Sequence, residues 1–137
     1  ANVMEFVFRL RKSVEEGDIV LGVSKVQDWF ELLSMEELNN LSKMLEELKN
    51  DNLTNADQIT MLVYLLCQIE NFDLYGEYQG SVSDVVLDFS YMVSLEILRR
   101  HGYVRFNQKL SFTNRDDSHI ELIEVPPPHF GFNPNLN

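Results

Sequence analysis

The sequence predicts an α+β fold, mainly helical: about five helices followed by a C-terminal β-hairpin. Three observations predict it. Apolar residues recur at helical spacing through most of the first hundred positions, four candidate helix starts carry Ser or Thr three residues ahead of Glu, Gln or Asp, and beyond Gly102 the apolar period falls from 3.6 to 2. A chain of 137 residues is the size of one ordinary domain, long enough to bury roughly 68% of its unfolded surface without disulfides or metals. The expected organisation is a single globular domain over residues 1–125 and a proline-led arm over residues 126–137.

Residues 3–16 space Val3, Val7, Leu10 and Val14 on one helical face, with Phe6 beside them and Gly17 as the stop. Asp18–Val23 is a short apolar link that reads equally as strand or loop. Ser24 with Gln27 predicts a capping box for a helix over residues 25–33, and Ser34 with Glu37 repeats the device for a helix over residues 35–49. There Leu38, Leu41, Leu45 and Leu48 form a narrow apolar stripe opposite Glu36, Glu37, Glu46 and Glu47. Thr54 with Asp57 opens a helix over residues 55–70 that has almost no polar face, which belongs at the centre of a core or under a partner.

Residues 71–80 read as a polar, aromatic connection punctuated by Gly76 and Gly80. Ser81 and Asp84 form the fourth capping box, opening a helix over residues 82–100. Asp84 lies at its positive end, and Arg99 and Arg100 lie at its negative end. Past Gly102, Val104, Phe106, Leu110 and Phe112 alternate with polar residues, residues 114–118 read as a turn, and Ile120, Leu122 and Val125 follow. This predicts a hairpin over residues 103–125 with a break at Asn107-Gln108. Pro126, Pro127 and Pro128 end the pairing, because proline cannot donate to a ladder.

Charge is distributed unevenly along this chain. The formal net charge is −11, and from Asn50 through Leu98 there is no Lys, Arg or His, while Asp51, Asp57, Glu70, Asp73, Glu77, Asp84, Asp88 and Glu96 fall in the same stretch. The late positive charge gathers at Arg99, Arg100, Arg105, Lys109 and Arg115. Such polarity disfavours non-specific attraction to nucleic acid or anionic lipid over most of the surface and favours basic protein faces. Asp73, Glu77, Asp84 and Asp88 are the candidate acidic contacts, the five basic residues are candidate anchors for an acidic partner or for phosphates, and Phe130 and Phe132 give the arm an apolar end suited to a groove. The helices over residues 55–70 and 82–98 hold more apolar surface than a small domain readily covers, which raises the expectation of a homodimer or an obligate partner.

Helices followed by a long helix ending Leu-Arg-Arg-His-Gly and then a hairpin form an order that resembles winged-helix domains. The resemblance implies a nucleic-acid-binding alternative that would use the basic segment 99–119. The helix that would read DNA, however, carries Asp84, Asp88 and Glu96 along its length, where positive charge is needed.

Catalytic and cofactor chemistry finds little support. His119-Ile-Glu121 lacks the cysteine pair that would complete a zinc deaminase site. His101, His119 and His129 lack the helical i, i+4 spacing of a zinc site, although His101 and His119 could meet across the hairpin. No glycine-rich phosphate loop and no nucleophile with its base stand out. The expectation is a protein that is not an enzyme, with no cofactor, no metal and no membrane span. The single cysteine, Cys67, sits in an apolar run and predicts a buried thiol in a reducing, cytoplasmic setting. The expected function is that of an acidic interaction or regulatory protein that binds a protein partner, such as a component of a nucleic-acid machine.

Overall fold

The structure, a computed structural model, describes residues 2–50, 56–114 and 116–124. Among the described residues six helices run in the order α1 (Val3–Glu15), α2 (Val26–Phe30), α3 (Met35–Lys49), α4 (Ala56–Ile69), α5 (Leu74–Tyr78) and α6 (Val82–Arg100). The strands β1 (Val104–Phe106) and β2 (Ile120–Leu122) follow. The molecule is mainly helical with a small C-terminal antiparallel sheet, as the sequence predicts.

Local chemistry accounts for most helix ends. Asn2 caps α1 by accepting from the Glu5 N–H at 3.1 Å, and Gly17 ends it with φ at 84°, a conformation that costs a residue with a Cβ. Ser34 and Glu37 make the reciprocal box before α3, at 3.1 and 2.8 Å. Ser81 accepts from the Asp84 N–H at the start of α6. The start of α4, with Thr54, lies outside the described residues, as do the arm and Val125.

Three expectations change, and the open choice at residues 18–23 is decided. The capping box before α2 is not Ser24 with Gln27: the Asp28 carboxylate accepts from the Lys25 N–H at 2.8 Å, while Ser24 Oγ accepts from the Val20 N–H. Gln27 is drawn inward instead, and α2 gives way to turns at Glu31–Leu33 because Ser34 already starts the next helix. The link at residues 18–23 is a turn, not a strand, fixed by the Gly22 N–H donating to the Ile69 carbonyl at 2.8 Å. Residues 71–80 contain a helix, α5, capped by Asp73, whose carboxylate accepts from the Gly76 N–H at 3.1 Å.

The hairpin is the third change. Pairing is confined to Val104 with Leu122, Arg105 with Glu121 and Phe106 with Ile120. Leu110 and Phe112, read as strand residues by their alternation, leave the ladder and are buried in the core. The alternation reports burial of every second side chain, and a loop can satisfy that as well as a strand when its backbone groups find other partners. Here the Leu110 carbonyl accepts from the Gln27 N–H at 3.1 Å, and the Phe112 N–H reaches Glu70.

α6 is the spine of the fold. It packs against α2, α3, α4, α5 and β1, while α1 lies on α4. One core joins them, with Phe6, Trp29, Phe30 and Phe89 in sequence at ring separations of 6.0–6.3 Å. A second aromatic group, Phe72, Tyr78 and Phe112, closes the end formed by α5 and the loop after β1, with Phe72 and Phe112 stacked at 5.8 Å. Each such pair contributes about 0.5–1.5 kcal/mol beyond its buried area.

Candidate interaction surfaces

The acidic stretch separates into two populations. Glu70 and Glu96 are buried, Glu96 with no exposure at all. Asp57, Asp73, Glu77 and Asp84 are exposed on α4, α5 and α6, and Asp88 is half-buried, with one oxygen accepting from the Tyr78 hydroxyl at 2.6 Å. Asp51 lies outside the described residues.

Glu96 is the centre of a polar hub. Its carboxylate accepts from Arg99 Nε and Nη2, from Arg100 Nε and from Gln27 Nε2, all at 2.8 Å. Burial alone would raise the Glu96 pKa, but the donors from Arg99, Arg100 and Gln27 outweigh it and hold the carboxyl below its ordinary value. Arg100 also donates to the carbonyls of Leu33 at 2.7 Å and Phe30 at 2.5 Å, the latter shared with the Leu33 N–H, at the end of α2. The hub therefore ties α6 to α2. Sequence reasoning placed Glu96 among charges repelling DNA; its Arg99 and Arg100 neighbours at i+3 and i+4 were the available signal for an ion-paired interior position.

Glu70, just past the C-terminal end of α4, does equivalent work. Its carboxylate accepts from the Ser111 hydroxyl at 2.7 Å, the Phe112 N–H at 3.0 Å and the Val26 N–H at 2.9 Å. Burial pushes its pKa up, and these donors with nearby Lys25 offset only part of the rise. Cys67, one turn earlier, is buried, and its thiol is pushed up to about 12 by burial and then by Glu70.

Among the described residues each cation of the basic segment has a carboxylate partner. Arg99 and Arg100 belong to the Glu96 hub, Arg105 pairs with Glu121 at 3.2 Å and Lys109 with Asp28 at 2.7 Å. The Arg99 guanidinium also lies 5.9 Å from the Phe106 ring centre. Arg115, Phe130 and Phe132 lie outside the described residues. His101 is exposed beside Tyr103 while His119 is buried, and among the described residues no group of three or more His, Cys, Asp or Glu is placed to hold a metal ion. No helix among the described residues is long and apolar enough to cross a membrane.

The remaining candidate surface lies on α4, α5 and the start of α6. Met61, Tyr64, Tyr75 and Val82 are exposed there, Tyr75 at 73%, and Tyr64 and Val82 share the walls of one small hollow with Leu74. Asp57, Glu77 and Asp84 are exposed on the same three helices, and Asp73 at the cap of α5. Aromatic side chains with polar tips beside carboxylates, set on rigid helices, suit protein recognition.

A packed set of helices that offers side-chain surfaces of this kind belongs to the class of helical protein-interaction repeats. The family model of the PEP5/VPS11 clathrin repeat matches residues 28–126, from α2 through the hairpin, and the chain belongs to that family. No curated protein and no solved structure matches the chain.

Proposed function

We propose that this protein is a non-enzymatic, acidic interaction module of a reducing, cytoplasmic-type compartment, and that its α4–α5–α6 face binds a basic surface of a protein partner. The observation that carries the reading is the make-up of that face: exposed Tyr64, Tyr75, Met61 and Val82 among Asp57, Asp73, Glu77 and Asp84, in a stretch of sequence with no cation from Asn50 through Leu98. Apolar contact supplies affinity, and the surrounding carboxylates steer and orient a basic partner. Surfaces of that charge are what nucleic-acid-binding proteins present, so a component of a nucleic-acid machine is the partner class that suits this face. Membership of a protein-interaction repeat family supports the same reading.

The test uses two measurements. Affinity capture from the source cell is made with the wild type and with the combined Asp73→Lys, Glu77→Lys and Asp84→Lys variant; the expected result is a co-purifying basic protein lost with the variant, with reconstituted binding that weakens at least tenfold as salt rises from about 50 to 500 mM. Equal capture by both proteins overturns the reading. In an electrophoretic mobility assay with random duplex, no retardation is expected at physiological salt; robust retardation would transfer the function to nucleic acid.

A further inference from the structure

The outer line of α6, which begins at Asp84 on the edge of that face, carries a second inference. Asp84, Leu87, Tyr91, Ser94 and Leu98 follow one another at spacings of three and four, so they form one line along the helix. All five are exposed, with Leu87 at 52%, Tyr91 at 45% and Leu98 at 39%, whereas Val85, Phe89, Met92, Val93 and Glu96 on the other side are buried. The helix that forms the spine of the fold thus turns an apolar seam outward. Spacing of this kind is the pattern by which one helix packs along another.

We infer that this seam is the interface of a homodimer in which two copies of α6 pack antiparallel. The stripe complements itself in that orientation. With the two-fold axis between Tyr91 and Ser94, Leu87 faces Leu98 of the second copy, the Tyr91 ring faces the small Ser94, and Asp84 faces His101. Apolar meets apolar, large meets small, and a carboxylate meets an imidazole. A parallel arrangement in register sets Asp84 against Asp84 and Tyr91 against Tyr91, and it aligns two helix dipoles unfavourably.

The surroundings extend the contact beyond one helix. A cavity of about 550 Å³ with Leu48, Ala56, Thr60, Val82, Val86 and Leu87 in its walls opens beside the N-terminal end of the seam. The antiparallel pairing brings the other copy's His101–Tyr103 turn to that end, where Tyr103, 46% exposed, is the side chain available to fill it. The seam offers five residues against the roughly 20–30 per side of a standard interface, so the dimer is expected to be weak.

Sedimentation equilibrium of the full chain between about 1 μM and 1 mM tests this, a range that brackets association through an interface of that size. The mass is expected to rise from 16.0 kDa towards twice that value. Leu87→Lys and Leu98→Glu are each expected to weaken association at least tenfold, and the double variant to regain it, because Lys at 87 then faces Glu at 98 of the other copy. Circular dichroism checks that each variant keeps its helices. A wild type that stays monomeric throughout, a dimer indifferent to both single substitutions, or a double variant that fails to regain association overturns the inference. Asp84 and Val82 border both surfaces, but Leu87 and Leu98 take no part in the α4–α5–α6 face, so the outcomes for these two substitutions decide the dimer alone.

Discussion

Replacing Glu96 by Gln removes one negative charge from a position with no solvent exposure while keeping the side chain's size. The amide leaves Arg99 and Arg100 without the carboxylate that accepted three of their N–H groups at 2.8 Å, and it sets its own NH2 against donors. Breaking a buried pair in this way costs about 3–5 kcal/mol. The lower end applies, because the Arg99 and Arg100 side chains retain 34% and 21% exposure, which lets water take up part of the stranded charge. A loss of about 3 kcal/mol corresponds to a fall of about 10 °C in Tm for a chain of this size. Urea unfolding followed by circular dichroism and by the single tryptophan, Trp29, measures it. The loss also has a pH signature. Because the folded-state pKa of Glu96 lies below its unfolded value, its contribution is fully present above about 4.5 and is lost as pH falls through the folded value. The gap between wild type and Glu96→Gln therefore stays constant from pH 7 down to about 5 and narrows below that. Arg99→Gln made in the Glu96→Gln background should cost at least about 1 kcal/mol less than in the wild type, because the pair is already broken. A Glu96→Gln protein within about 0.5 kcal/mol of wild type at pH 7 would refute the view of this hub as the link between α2 and α6.

Two further outcomes follow from the other buried carboxylate and its neighbour. The folded-state pKa of Glu70 is raised, so its contribution is fully present below about 4.5 and is lost as pH rises through the folded value; the stability of Glu70→Gln relative to wild type should accordingly increase between pH 4 and pH 7, and a difference that is flat or falling over that range contradicts the assignment. Cys67, buried and with its thiol pushed up to about 12, should react with a thiol reagent at pH 8 at least a hundredfold more slowly in the native protein than in urea, and comparable rates would place the side chain at the surface.

The long helices were legible because their signals are local. Ser34 with Glu37, Ser81 with Asp84, Gly17 and Gly102, together with 3.6-residue apolar spacing, specify α1, α3 and α6 from residues no more than a few positions apart. α2 is anticipated by the sequence but drawn too long, and α5 is not anticipated, because five-residue helices are too short to display a period. Asp73, a docking charge by sequence, also caps α5, since its carboxylate accepts from the Gly76 N–H three residues on. Alternation at Leu110 and Phe112 predicts a strand, yet burial on every second residue looks the same in a strand and in a loop packed on a core.

For the candidate surfaces, the sequence by itself determined where charge of each sign lies along the chain and that α4 and α6 hold more apolar residues than one face can bury. Only the tertiary structure decided which carboxylates meet solvent. Glu96 is satisfied in part by Gln27, 69 positions away, and Glu70 by Val26 and Ser111, 44 and 41 positions away. Whether a carboxylate is a surface charge or an internal acceptor depends on donors that chain folding brings to it, and at such separations no local pattern encodes them. The same holds for the outward seam of α6, since apolar residues on every side of a helix leave open which side the neighbouring helices cover.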